Sequence, residues 1–438
     1  MFRFARLLPC ESALQRAALV LALGSIAAPY SGHAAEGPLT LEEMVQIAQK
    51  RSAQLAAQDA AVVAAREMSV SAGQLPDPVL RLGVDNVPVD GEDRFSLGRE
   101  SMTTRRIGVS QEFTREEKRR LRGERGAREA ERETAARQVL LADVRRDATL
   151  AWIDRYYAER TRALLDQIIE DNRSLIAAVE AAYRGGRGSQ GEVFAARAAL
   201  VGLQDRRAEL ERKLQASKIT LARWIGPDAE RPLAGEPEWQ QLDLTQLDER
   251  LNNHPQLGVL AKQVEIAEAD ARLARAASKP DWSVEFAYGQ RGPAFANLFS
   301  IGLSIPLPIS PGERQDRDVA AKLALAEQAR ARLEDGRRMH AAEIRTMLAE
   351  WRSNIDRLTR LQSDLIPVAA QRTDAALAAY RGNTGGLSAV LDARRGEREA
   401  LMQVLELTAS TARVWAQLLF LLTHPLPSAA GATSGSGK

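Results

Sequence analysis

The chain has 438 residues, 45% of them apolar but only 5% aromatic, and its 27% of charged side chains mix both signs to a formal net charge of +2. Such a length allows about two or three domains, while so few aromatics are low for a compact enzyme core. Arg3, Arg6 and Arg16 stand against Glu11 in the first 34 residues, so the remainder is close to neutral, which argues against a nucleic-acid-binding protein.

Residues 1–34 read as a secretory signal: basic residues, a short apolar run AALVLALGSIAA (17–28), then small residues at GHAA (32–35). The run is short for a bilayer-spanning helix, and an uncleaved anchor is the alternative. Cys10, the only cysteine, would leave with the signal, so neither disulfides nor thiolate metal sites are expected. No other segment resembles a transmembrane helix, so a membrane location would require a barrel.

The first repeat spans 35–226. AQLAAQDAAVVAARE (53–67) is helical in composition and leads to LPDP (75–78). Alternation then predicts strands over about 79–87 and 104–113, with Leu80, Leu82, Val84, Ile107 and Val109 on one face and Arg81, Asp85 and Arg106 on the other. From Thr114 to Tyr183 there is no proline, and Ile153, Tyr157, Leu164, Ile168, Leu175 and Val179 recur at spacings that form a coiled-coil-like seam. A helix of that length runs roughly 100 Å at about 1.5 Å per residue. KRRLRGER (118–125) is interleaved with acids and reads as a solvated helix start rather than a nucleic-acid patch. A glycine-rich tip follows at 184–191, where YRGGRGSQGEVFAAR (183–197) breaks the helix, and a linker occupies 227–244.

The second repeat, 245–423, runs through the same order. PQLGVLAKQVEIAEA (255–269) leads to KPDW (279–282), then strands are expected over about 281–290 and 297–307. Trp282, Val284, Phe286 and Tyr288, then Phe299, Ile301, Leu303 and Ile305, alternate with small or polar residues including Glu285. A long helix from about Pro311 to Tyr380 carries Pro367, an expected kink. The tip at 381–387 lies in YRGNTGGLSAVLDAR (380–394), which matches 183–197 at an offset of 197 residues. Duplication of that length implies a pseudo-symmetric structure, and 424–438 is expected to be a disordered tail. His33, His254, His340 and His424 are scattered without ligand spacing, and there is no nucleophile motif, phosphate loop or credible pair of catalytic carboxylates. No enzyme, cofactor or bound metal is expected.

Two repeats, paired strands between very long helices and a Y-R-G…G…V…A-R tip in each half resemble the TolC family of outer-membrane efflux channels. IGLSIPLPI (301–309), before the second long helix, resembles the family's strand exit, and LPDPVLRLGVDN (75–86) with RRIGVSQEFTREEKRRLR (105–122) is most similar to its heavy-metal branch of cobalt-zinc-cadmium or copper-silver type. The resemblance implies a mainly α fold with a membrane β-barrel, each repeat giving helix, β-hairpin, long helix, tip and helix. A homotrimer would close twelve strands on a helical periplasmic tunnel, the greasy strand faces meeting outer-membrane lipid. The implied function is a passive duct of a tripartite resistance-nodulation-division system, exporting heavy-metal cations or, alternatively, small organic toxicants. The implied partners are a periplasmic adaptor protein and an inner-membrane pump. Tyr183, Arg184, Gly185 and Gly188 with Tyr380, Arg381, Gly382 and Gly385 would then form the adaptor-docking tips, with plain hairpin chemistry as the alternative role. Asp392 matches one acidic pore-gate position, Ala389 replaces the other, and Glu192, the first-repeat counterpart of Ala389, would contribute to the gate beside Asp392. Surface pairing of Asp392 with Arg394 or Arg395 is the alternative. A soluble periplasmic coiled-coil scaffold would explain the helices but leaves the alternation at 282–305 without a role.

Overall fold

A computed structural model describes residues 37–240, 242 and 254–421; the expected signal at 1–34, the tail at 424–438 and part of the linker lie outside them. Thr40 caps α1 (Leu41–Arg51) by accepting from the Glu43 amide, and Ser52 does the same for α2 (Ala53–Ala72) through Leu55. β1 (Val79–Asp85) and β2 (Thr104–Phe113) follow, then the 69-residue α3 (Glu116–Arg184) and α4 (Gln190–Ile225). The second half supplies α5 (Pro255–Ala277), β3 (Trp282–Gln290), β4 (Leu298–Ser304), α6 (Gln315–Arg360), α7 (Ile366–Arg381) and α8 (Leu387–Leu421). A π-turn at Leu361–Leu365 separates α6 from α7. Its cause is Pro367, which has no N–H for the preceding turn and crowds the carbonyl four residues back.

The four strands form one antiparallel sheet in the order β1-β2-β3-β4. Its central pair joins the two repeats, with Val109 opposite Phe286 and Ile107 opposite Tyr288. The helices leave from one end of the sheet and the loops 86–103 and 291–297 close the other. At the helical end Phe113 stacks on Trp282, ring centroids 4.4 Å apart. Beside them Asp281 accepts from the Arg115 amide at 3.0 Å and from Lys118 Nζ at 2.8 Å. One partly buried carboxylate of the second repeat therefore holds the start of the first repeat's long helix.

The main core lies midway along α3. Trp152, Ile153, Tyr156 and Tyr157 pack there against Leu221 and Ile225 of α4, Met44 and Val45 of α1, and Trp415 and Leu419 of α8. Ile153, Tyr157, Ile168, Leu175 and Val179 of the expected seam are buried, while Leu165 rather than Leu164 is the buried member of its turn. The segment after α4 is held in this core. Leu39 bridges Leu233, Trp239 is buried, and Trp351 Nε1 donates to the Trp239 carbonyl at 3.2 Å. Glu236 accepts from Tyr157 at 2.8 Å and from Trp239 Nε1 at 2.9 Å. Arg155, 2% exposed, donates to the Ala229 and Arg231 carbonyls and to Glu159. Arg231 in turn pairs with Glu43 of α1 at 2.8 Å, and that hydrogen bond holds the Glu43 carboxyl below its usual range.

Candidate functional site

Register across the sheet decides which side chains share a face. Leu80 faces Val109, Val109 faces Phe286 and Phe286 faces Ile301; Leu82, Ile107, Tyr288 and Phe299 make the neighbouring row. A continuous apolar face thus crosses all four strands, and Leu82, Phe299 and Ile301 are 71%, 68% and 66% exposed. Water does not tolerate a contiguous surface of that kind without a partner. The opposite face is small and polar. On it Glu285 of β3 meets Arg81 of β1 at 3.2 Å and Arg106 of β2 at 2.8 Å, with Asp85 3.9 Å from Arg106. β2 and β3, at ten and nine residues, have the length that crosses a bilayer when tilted. β1 and β4 each have a neighbour on one side only, so their outer N–H and C=O groups need a further strand in hydrocarbon.

The tips lie at the far end of the helices. α3 ends in a Schellman arrangement: Arg187 N–H donates to the Ala182 carbonyl at 2.9 Å and Gly186 N–H to that of Tyr183 at 3.0 Å. α7 ends identically, Thr384 donating to Ala379 and Asn383 to Tyr380. Gly186 (φ 70°) and Asn383 (φ 59°) are therefore the left-handed residues. Gly185 and Gly382, at φ −83° and −77°, have ordinary right-handed backbones, one residue before the position that demands glycine or asparagine. Gly188 and Gly385 serve close approach instead, since a Cβ on them would sit 3.1 Å from Glu192 Oε2 and 3.0 Å from Ala379 Cβ. Hence Gly186→Val should cost about 1–2 kcal/mol of local stability and speed amide exchange over 183–190 roughly tenfold, whereas Gly185→Val should change it little. Equal acceleration in both variants would contradict this assignment.

Ser189 and Glu192 form a capping box on α4: the Glu192 amide donates to the Ser189 hydroxyl and the Ser189 amide to Glu192 Oε2 at 2.9 Å. Glu192 thus has a local structural role at the tip. Leu175, Val179 and Val193 pack with Leu387 and Val390, and Tyr380 lies against them, so the two hairpins share one apolar cluster. Tyr183 is exposed, as are Arg184 and Arg381, and neither arginine has an ion pair among the described residues. Asp392 is exposed on α8, beside Arg395 and Arg398 in a cleft between α3, α4 and α8. Among the described residues no group of three or more His, Cys, Asp or Glu is placed to hold a metal, and no helix is long and apolar enough to cross a membrane.

No curated protein matches the chain. Residues 247–424 match the family model described as outer membrane efflux protein. Among solved structures, CusC, whose structures concern folding and transmembrane channel formation, superposes with a TM-score of 0.75 at 16% identity, covering 88% of this chain and 92% of that one. The outer membrane protein VceC of Vibrio cholerae gives 0.70 at 17% identity, covering 88% and 96%. The open state of the MtrE outer membrane channel of Neisseria gonorrhoeae gives 0.71 at 17% identity, covering 88% and 89%. The mainly helical chain with its four-stranded sheet therefore shares the fold of these outer-membrane channels, and residues 247–424 are similar in sequence to the outer membrane efflux protein family.

Proposed function

We propose that this chain is the outer-membrane channel of a tripartite resistance-nodulation-division efflux system, a passive duct and not an enzyme. Three copies pair β4 of one with β1 of the next and close a twelve-stranded barrel in the outer membrane, while the helices extend into the periplasm. The observation that carries this reading is the continuous apolar face across β1 to β4, exposed in the single chain, on a sheet with two open edges. A soluble scaffold has no use for such a face. Energy comes from the inner-membrane pump.

The two tips, repeats of one another, dock the periplasmic adaptor. Supporting this, Arg184 and Arg381 stand exposed beside the helix reversals, free for carboxylates of a partner. The test is co-purification: the full chain should retain its adaptor and pump from solubilised envelopes, and R184E with R381E should lose both while keeping its own oligomer. Retention by the double variant would count against docking at the tips.

Heavy-metal cations are the cargo we assign, on the likeness of residues 75–86 and 105–122 to the metal branch. Asp392 supplies the carboxylate of the gate, three in the trimer, and favours cations by Coulomb attraction. Asp392→Asn should lower the cation preference of single channels in planar bilayers; unchanged selectivity would remove Asp392 from the gate. A second reading, export of small organic toxicants, is favoured by the guanidinium groups of Arg206, Arg395 and Arg398 that line the same cleft as Asp392.

A further inference from the structure

The cleft between α3, α4 and α8 has a volume of about 790 Å³, the size of an organic-ligand site. Its α4 wall is small and apolar, with Ala195, Ala198 and Gly202, and α8 adds Leu391 and Met402. Two polar side chains within it lack partners. Asn172 is 0% exposed, and neither its amide nitrogen nor its oxygen has a hydrogen bond. Arg398 is half-buried, and among the described residues its guanidinium makes no hydrogen bond or ion pair. The two belong to one locality, because Arg394, a turn before Arg398, donates to the carbonyl of Asp171 at 3.4 Å. Desolvation pulls the Arg398 pKa down and Arg394 adds to that, while Asp171 and Glu397 oppose it. An unsatisfied buried amide group costs about 1–3 kcal/mol, so both side chains gain from an oxygen-bearing ligand.

We propose that this cleft binds an amphipathic organic carboxylate, its anionic head between Arg398 and the Asn172 amide and its apolar body along Ala198, Gly202, Leu391 and Met402. A cation is disfavoured at the floor by Arg398. A multiply charged anion is disfavoured at the rim, where the exposed carboxylates of Asp392, Glu399 and Glu406 outnumber Arg206 and Arg395. One negative charge on an apolar frame fits both.

The probe is 2-naphthoate, with neutral 2-naphthamide as its isostere, titrated into the full-length oligomer in detergent against matched micelle blanks. The expected result is saturable binding of the acid that weakens about tenfold or more in Arg398→Gln, the loss of one charge-assisted hydrogen bond, with the amide affected less than about twofold on the same argument. Asn172→Leu, which keeps the volume and whose folding is checked by its melting temperature, should weaken the acid severalfold. Three outcomes overturn the site: equal affinity for acid and amide, acid binding unchanged in Arg398→Gln, or no saturable binding because a neighbouring copy fills the cleft. Loss with Arg398→Gln but none with Asn172→Leu would overturn the amide's part and leave Asn172 to a buried water. The measurement is independent of export, so its failure leaves the channel reading standing.

Discussion

Ile301→Arg is expected to abolish stable assembly in the outer membrane. Ile301 sits at the middle of β4, opposite Phe286 and on the apolar face. An arginine at the bilayer midplane of a β-barrel costs about 2–4 kcal/mol, and three symmetric copies bring that to roughly 6–12 kcal/mol per trimer. Ser300→Arg, one residue earlier on the polar face, should assemble normally, because its side chain points to the side where Glu285, Arg81 and Arg106 already lie. The measurement is the yield of heat-resistant oligomer from purified outer membranes. Similar yields from both variants would mean that the two faces meet similar surroundings.

The second large effect is expected at Arg155→Met. This guanidinium is buried and satisfies the carbonyls of Ala229 and Arg231 together with Glu159. Methionine fills the space but withdraws the guanidinium donors from the buried Ala229 carbonyl and the partly buried Arg231 carbonyl, at about 1–3 kcal/mol each. After allowance for the relief of Arg155's own desolvation, a net loss of about 3 kcal/mol is expected from denaturant unfolding. Arg155→Lys should be intermediate, since an ammonium cannot span both carbonyls. The loss should appear as loosening of the segment after α4, and proteolysis between 226 and 240 should be faster in Arg155→Met. Wild-type stability in that variant would show that Leu39, Leu233 and Trp239 hold the segment alone.

These two sites differ in how far sequence reveals them. The alternation of Trp282, Phe286, Ile301 and Leu303 is a local pattern and announces a strand face directly. The seam of α3 is legible for the same reason, because Ile168, Leu175 and Val179 repeat at heptad spacing. Arg155 is not legible. It lies in a helix where arginine is frequent, and its burial depends on carbonyls 74 and 76 residues away. Asn172 is hidden in the same way. The pairing of β2 with β3 is likewise non-local, although Arg106 and Glu285 meet across it. At the tips the repeated Tyr-Arg-Gly marks the reversal, but the conformation that needs a special residue falls one position later. The second repeat uses Asn383 there, which keeps the left-handed turn while breaking the glycine pattern. Glu192 read as a gate acid by its place in the repeat; the capping box that engages its carboxylate follows from Ser189 three residues before it.

Lipid contact on one face of the sheet, and water on the other, is most directly read by cysteine accessibility. Cys10 is the only cysteine in the chain, so single cysteines can be placed from 299 to 303 with Cys10→Ser as background. In intact outer-membrane vesicles a small, charged maleimide should label positions 300 and 302 and leave 299, 301 and 303 unlabelled until detergent is added. Uniform labelling along the strand, or the opposite alternation, would contradict the channel.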